Sequence, residues 1–259
     1  MLQAGFLHSL KAGRAAALAL TLLAPWSYAP AATGADAGAE QRVSLPADMD
    51  KRVAACTACH GAEGRAADDG YYPRIAGKPA GYLYHQLLNF RDGRRQYAPM
   101  TALLETLPDA YLRDIAAHFA AQHPPYPNSA RAPVPAAMLA RGEQLVREGD
   151  RARGTPACIA CHGSDLAGLT PSVPGLLGLP RDYIAAQLGA WQGGTRKTPA
   201  PDCMAQVLAG VAPGDIAAVS AWLAAQPVPA DYTPREAPDH ILPLACAGVP
   251  QPVADQEKK

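Results

Sequence analysis

Four of the six cysteines lie in two copies of one pentapeptide, Cys56-Thr57-Ala58-Cys59-His60 and Cys158-Ile159-Ala160-Cys161-His162. C-x-x-C-H is the signature of c-type haem attachment. At the end of a helix, residues i, i+3 and i+4 share one face. Two thiols can then reach the two vinyl groups on one porphyrin edge, and the adjacent imidazole can reach the iron. A structural zinc site would want four protein ligands, and each half of the chain offers only this one compact cluster. A redox dithiol would want a βαβ context, and strand-like alternation is nearly absent. The duplication decides the matter. Two covalently bound haem c groups are expected, one on Cys56 and Cys59 and one on Cys158 and Cys161.

The sixth ligand determines what such an iron can do. Ligation by His and Met on opposite faces saturates it, raises its reduction potential and suits electron transfer, whereas an open position admits gas binding or peroxide chemistry. The chain has five methionines. Met1 falls in the leader described below, and Met49 and Met138 lie upstream of the motifs. Met100 and Met204 remain, each in a proline-containing loop, Tyr97-Ala98-Pro99-Met100 and Pro199-Ala200-Pro201-Asp202-Cys203-Met204. The expected metal ligands are therefore His60 with Met100 and His162 with Met204. Histidine is the rival to Met. His85, His118 and His123 each face a non-His residue in the second half, while His240 sits in the tail and His8 in the leader, so a symmetric bis-His protein is not expected.

The motifs are positioned by a duplicated set of elements. Pro73 and Gly77 correspond to Pro174 and Gly178; Tyr82, Gln86, Leu87, Phe90 and Gly93 correspond to Tyr183, Gln187, Leu188, Trp191 and Gly194. Met100 falls opposite Met204, and Leu112, Ile115 and Phe119 fall opposite Ile216, Val219 and Leu223. An offset of about 100 residues is too long for a solenoid repeat and reads as two copies of one domain. Helix signals and apolar spacing predict helices over 48–59, 79–91 and 109–122, and again over 136–148, 181–192 and 213–226. The fold class is all-α. Domain 1 is expected over 40–123 and domain 2 over 136–226. A proline-rich linker at 124–135 joins them, and a tail of 227–259 follows.

Lys11 and Arg14 precede the apolar run 15–23, and small residues follow around Ala29 and Ala31. That is the layout of a secretory signal peptide, assigned to 1–31. The run is well short of the ~20 apolar residues of a membrane span. Without Lys11 and Arg14, 21 of the 23 basic residues remain against 23 acidic ones. No basic block points to nucleic acid. The three phenylalanines leave few large side chains to fill two small cores, and small domains with thin cores usually need a cofactor or a staple. Cys203 and Cys246 are left over after haem attachment, and an even remainder in an exported protein favours a disulfide between them. Closing a loop of that size contributes on the order of 3–4 kcal/mol by chain entropy. The alternative is a buried Cys203 and a disordered tail.

On these motifs the chain resembles the tandem class I cytochromes c, the periplasmic dihaem family designated cytochrome c4, over roughly 41–226. The resemblance implies two class I folds facing each other about a pseudo-twofold axis, with haem propionates near the interface. It also implies that the carbonyls of Pro73 and Pro174 accept from the free ring nitrogens of His60 and His162, orienting both rings. Cys203 beside Met204 and the long tail depart from the minimal class I pattern. The implied function is periplasmic electron transfer between redox proteins: a terminal oxidase, a dehydrogenase or a cytochrome complex. No membrane span is expected in the mature chain, and membrane association through a partner stays open. Two other classes remain, a dihaem peroxidase with a displaceable ligand and a fixed haem subunit of a dehydrogenase.

Overall fold

Prolines and short acidic caps start most of the helices. In the computed structural model, which describes residues 46–66, 71–127, 133–236 and 240–250, Asp48 accepts from the Asp50 amide at 3.0 Å and opens α1 (Met49–His60). Pro79, Pro108, Pro135 and Pro180 stand immediately before α2 (Ala80–Arg91), α4 (Asp109–Ala120), α5 (Ala136–Arg147) and α7 (Arg181–Gln192). Their fixed φ and missing N–H are tolerated at a helix start. Pro213 occupies the first turn of α9 (Pro213–Ala225). The six predicted helices form within two residues of their expected ends. The leader, residues 128–132 of the linker and the end of the tail lie outside the described residues.

Two elements differ from expectation. The methionines are not in irregular loops: Met100 lies in α3 (Ala98–Leu104) and Met204 in α8 (Cys203–Ala209). Proline masked the first, being acceptable in an opening turn. Asp202 starts the second by accepting from the Ala205 amide at 3.0 Å. The second C-x-x-C-H also has a short helix of its own, which the spacing does not predict. A turn at Arg151–Arg153 separates α5 from the four-residue α6 (Ile159–His162), because Gly149 and Gly154 take positive φ between them. A two-residue hairpin, β1 (Gly168–Leu169) with β2 (Val173–Pro174), follows.

Packing repeats across the halves. In the first, α2 packs on α4, burying Leu83, Tyr111, Ile115, Ala116 and Phe119; in the second, α7 and α5 pack on α9, burying Leu145, Val146, Ile184, Val219, Trp222 and Leu223. α9 is buried on nearly every face, yet it is too short to cross a membrane. No single helix among the described residues is long and apolar enough to do so. Beyond α9 the tail is tied down. Cys203 and Cys246 are disulfide-bonded, as the leftover-cysteine argument expects, and Tyr232 accepts from the Leu177 amide at 2.7 Å.

α5 and α9 approach closely only because residue 142 lacks a side chain. A Cβ there would overlap the Ala218 carbonyl and the Trp222 Cβ. Gly142→Val should therefore cost about 1–3 kcal/mol in denaturant unfolding by overpacking. Gly214→Ala, in open space on the same helix pair, should hold or gain up to about 1 kcal/mol.

Candidate functional site: two C-x-x-C-H motifs and a shared cationic seam

Each C-x-x-C-H ends its helix in the same way. Gly61 and Gly163 follow the histidines with φ of 75° and 84°, a region glycine enters without strain. The chain turns away at once and leaves the imidazole at the helix end. His60 and His162 are both buried. The Nδ1 of each lies 2.8 Å from a proline carbonyl, Pro73 for His60 and Pro174 for His162. With Nδ1 as donor, Nε2 carries the free lone pair, the tautomer a metal-binding imidazole requires. Burial pulls both imidazoles toward the neutral form, partly opposed by those carbonyls. It also pushes the Cys56 thiol up to about 11 and the Cys158 thiol to about 12. These are neutral apolar-pocket thiols, unlike the low-pKa thiolates of redox or zinc sites.

The second motif opens on a cavity of about 330 Å³, within the roughly 300–1,000 Å³ range of ligand cavities. Cys158, Cys161 and His162 line it together with Ile184, Leu188, Val219 and Leu223, and Met204 lines it as well. In the first half the apolar core is split into two clusters. Cys56 packs against Val53, Ile115 and Phe119, and Met100 against Phe90, Leu104 and Leu112. Three of the rival histidines are engaged elsewhere or open to solvent: His118 rests edge-on against Phe119, His240 contacts the Ala160 carbonyl at 2.8 Å, and His123 is exposed. His85 lines the second cavity, with Gly248 packed against its ring.

Between the halves lies a group of residues that sequence reading only half found. Tyr82, Gln86, Tyr183 and Gln187 are matched positions of the repeat, and the structure brings them together around Arg95 and Arg196. Arg95 donates to Gln86 (3.0 Å), Gln187 (2.6 Å) and the Tyr183 hydroxyl (3.1 Å); Arg196 donates to Gln187 (2.9 Å), Gln86 (2.9 Å) and the Tyr82 hydroxyl (3.3 Å). The arginines also face each other in an antiparallel bridge, flanked by Gln96 N–H to Thr195 O (2.8 Å) and Lys197 N–H to Arg94 O (2.7 Å). Each arginine comes two residues after a matched glycine, Gly93 and Gly194. That offset was the available signal.

Arg95 is 9% exposed and Arg196 4%. Among the described residues, neither they nor the adjacent Lys78 form an ion pair with a carboxylate. Burial, and then the proximity of Arg95, draws the Arg196 guanidinium down to about 10. Burial lowers Lys78 likewise. The Tyr82 phenol, which burial alone would raise, is pulled down by Arg196, Arg95 and Lys78. The Nε of Arg196 and the indole N–H of Trp191 are buried without a partner. A cationic seam with spare donors at the cavity lining suits a flat apolar group that carries carboxylates on one edge, which is the shape and charge of haem.

No family model matches the chain. It is 36% identical over 178 residues to cytochrome c4 of Pseudomonas aeruginosa, an alignment covering 66% of this chain and 84% of that one. The chain belongs to the cytochrome c4 family. A thiosulfate dehydrogenase electron acceptor of Thiomonas intermedia is 39% identical over 177 residues, covering 68% of this chain and 80% of the relative. The crystal structure of reduced recombinant cytochrome c4 from Pseudomonas stutzeri superposes with a TM-score of 0.57 at 32% identity, covering 67% of this chain and 94% of that one. As a cytochrome c4, the protein is a dihaem class I electron carrier with two covalent haem c groups, and Cys56/Cys59 and Cys158/Cys161 fit their attachment sites. The intact mass of the denatured protein should exceed the polypeptide by two haem masses. Cys158→Ser with Cys161→Ser should remove one of them and loosen the half whose cavity it fills. Haem extractable by acid and solvent would contradict covalent attachment.

Proposed function

We propose that this chain is an exported electron acceptor for a small-molecule dehydrogenase, built as two haem domains over 40–123 and 136–226 joined by the linker 124–135. His60 with Met100 and His162 with Met204 are the axial ligands. Haem c supplies a one-electron iron couple at each site. The protein's part is to hold Nε2 free through the Pro73 and Pro174 carbonyls, present a thioether from α3 or α8, and keep water out with the packed faces of α2, α4, α7 and α9. A saturated His–Met iron has no place for peroxide, so carrying electrons is favoured over peroxidase chemistry.

The observation that carries the ligand assignment is the double coincidence of the methionines. They sit at matching repeat positions, each in a short helix of seven residues, and Met204 lines the same cavity as His162. The assignment of the electron donor is supported by the similarity to thiosulfate dehydrogenase electron acceptors. Downstream, a terminal oxidase or another cytochrome takes the electrons. An exported location is supported by the signal-peptide layout of residues 1–31 and by the disulfide, which suits an oxidising environment.

Met100→Ala and Met204→Ala should each remove about half of the thioether-to-iron charge-transfer band in the ferric near-infrared spectrum. Each should also lower one of the two potentials, because thioether ligation favours reduced iron. A variant that kept the whole band and both potentials would overturn its ligand. For the donor, thiosulfate with catalytic thiosulfate dehydrogenase should reduce both haems of the oxidised protein. No reduction under those conditions would exclude that donor.

A further inference from the structure

The two C-x-x-C-H edges are not equally accessible. Ala58 and Cys59 are exposed, whereas Ala160 and Cys161 are partly covered. The cover is the tail, which has no counterpart among the described residues of the first half. Arg235 pairs with Asp165 at 2.8 Å and exchanges backbone hydrogen bonds with Gly168 and Thr170, both at 2.9 Å. His240 Nε2 then lies 2.8 Å from the Ala160 carbonyl, inside the second motif. Leu242 is buried and lines the second cavity with Leu244. Cys246 is bonded to Cys203, next to Met204, and the Ala247 amide donates to Pro201 at 2.9 Å. Gly248 finally packs against the His85 ring on α2 of the first half, so closely that a Cβ would collide with it.

We propose that the tail is a strap fastened across the second cavity from its C-x-x-C-H turn to the Met204 helix, leaving the open edge at Cys59 as the port for protein redox partners. The inference rests on the electron-transfer reading above. Its physical basis is that a protein partner needs a bare edge to approach. The second edge is covered by a segment held with a disulfide, an ion pair and a buried leucine. The second haem then exchanges electrons through the first, across the Arg95–Arg196 seam. Ile241, 75% exposed on the outer side of the strap, and Ala62, exposed two residues beyond His60, mark the two surfaces.

The test attaches a bulky polyethylene glycol maleimide to Ala62→Cys or to Ile241→Cys in the holoprotein and measures electron exchange with a soluble monohaem cytochrome c by stopped flow. The Ala62 label should slow exchange by on the order of tenfold, and the Ile241 label by less than about twofold. Ending the chain after Glu236, with Cys203→Ser so that no thiol is left free by the loss of Cys246, keeps Tyr232 and Arg235 but removes the strap. In that background the Ala62 label should lose its effect, because the second edge is now open. Equal slowing by both labels in the full chain would overturn the proposal. So would a truncated protein that folds yet remains as sensitive to the Ala62 label as the full chain. If the truncated chain does not fold, the two labels in the full chain decide alone. The near-infrared thioether band of the unlabelled protein reports the ligand assignment independently, so a failed ligand reading and a failed port are separate results.

Discussion

Arg95 and Arg196 are buried beside each other at the meeting of the two halves, and the rest of the architecture is arranged so that this can be tolerated. Two like charges at low exposure repel, and each also loses its hydration. Among the described residues the structure answers with neutral oxygens only. Gln86 and Gln187 are each shared between both guanidiniums, and a tyrosine from the opposite half completes each set. Neutral acceptors satisfy geometry but leave net charge. Covalent haems bring carboxylates, and the seam lies where the second cavity's lining, through Arg196, Tyr183 and Gln187, meets the first half's Tyr82 and Gln86. A polypeptide without its haems should therefore be strained at its centre as well as empty in its cores.

That constraint also fixes where α2 and α7 sit. Both helices supply a tyrosine and a glutamine to the seam, so the same turn of each must face its twin. Their other faces pack on α4 and α9 and wall the sites. One surface of each helix thus sets the relation between the halves, and another sets the shape of the site. A substitution at Gln86 or Gln187 would leave two donors unpaired at once, a larger loss than the usual single hydrogen bond.

What could be read from sequence follows from what kind of interaction was involved. The C-x-x-C-H turns and the six long helices depend on local spacing, helix caps and a repeat, all visible in one dimension, whereas the proline carbonyls on His60 and His162 were implied by the family resemblance. The pairing of Cys203 with Cys246 was reachable by elimination, since only two thiols were left. α3 and α8 were missed because each is two turns long and starts among prolines, where local signals favour a loop. The arginines of the seam were missed for a different reason. A charged residue after a glycine ordinarily reads as a solvated turn, and only the docking of one half on the other buries it. The same elimination ties the segment around Leu242 to Met204, but nothing local in His240 says that the tail also lies over the second motif.

The two halves share a sequence pattern but not an environment, and this is what the duplication makes possible. A single class I domain must use one haem edge both to meet partners and to hold its potential steady against solvent. With two domains joined through a seam, the duties can be divided. The first motif keeps its exposed Cys59 at the end of α1. The second gained the turn between α5 and α6, a hairpin that receives Arg235, and a disulfide beside Met204. These features lie on the second half; the hairpin turn reaches back to the first, where Pro171 accepts from the Gly81 amide at 3.0 Å, and the strap does so at His85. Of these, the hairpin's Val173 and Pro174, the disulfide and the strap's Leu242 all line the second cavity, so the differences between the halves bear on the surroundings of one site.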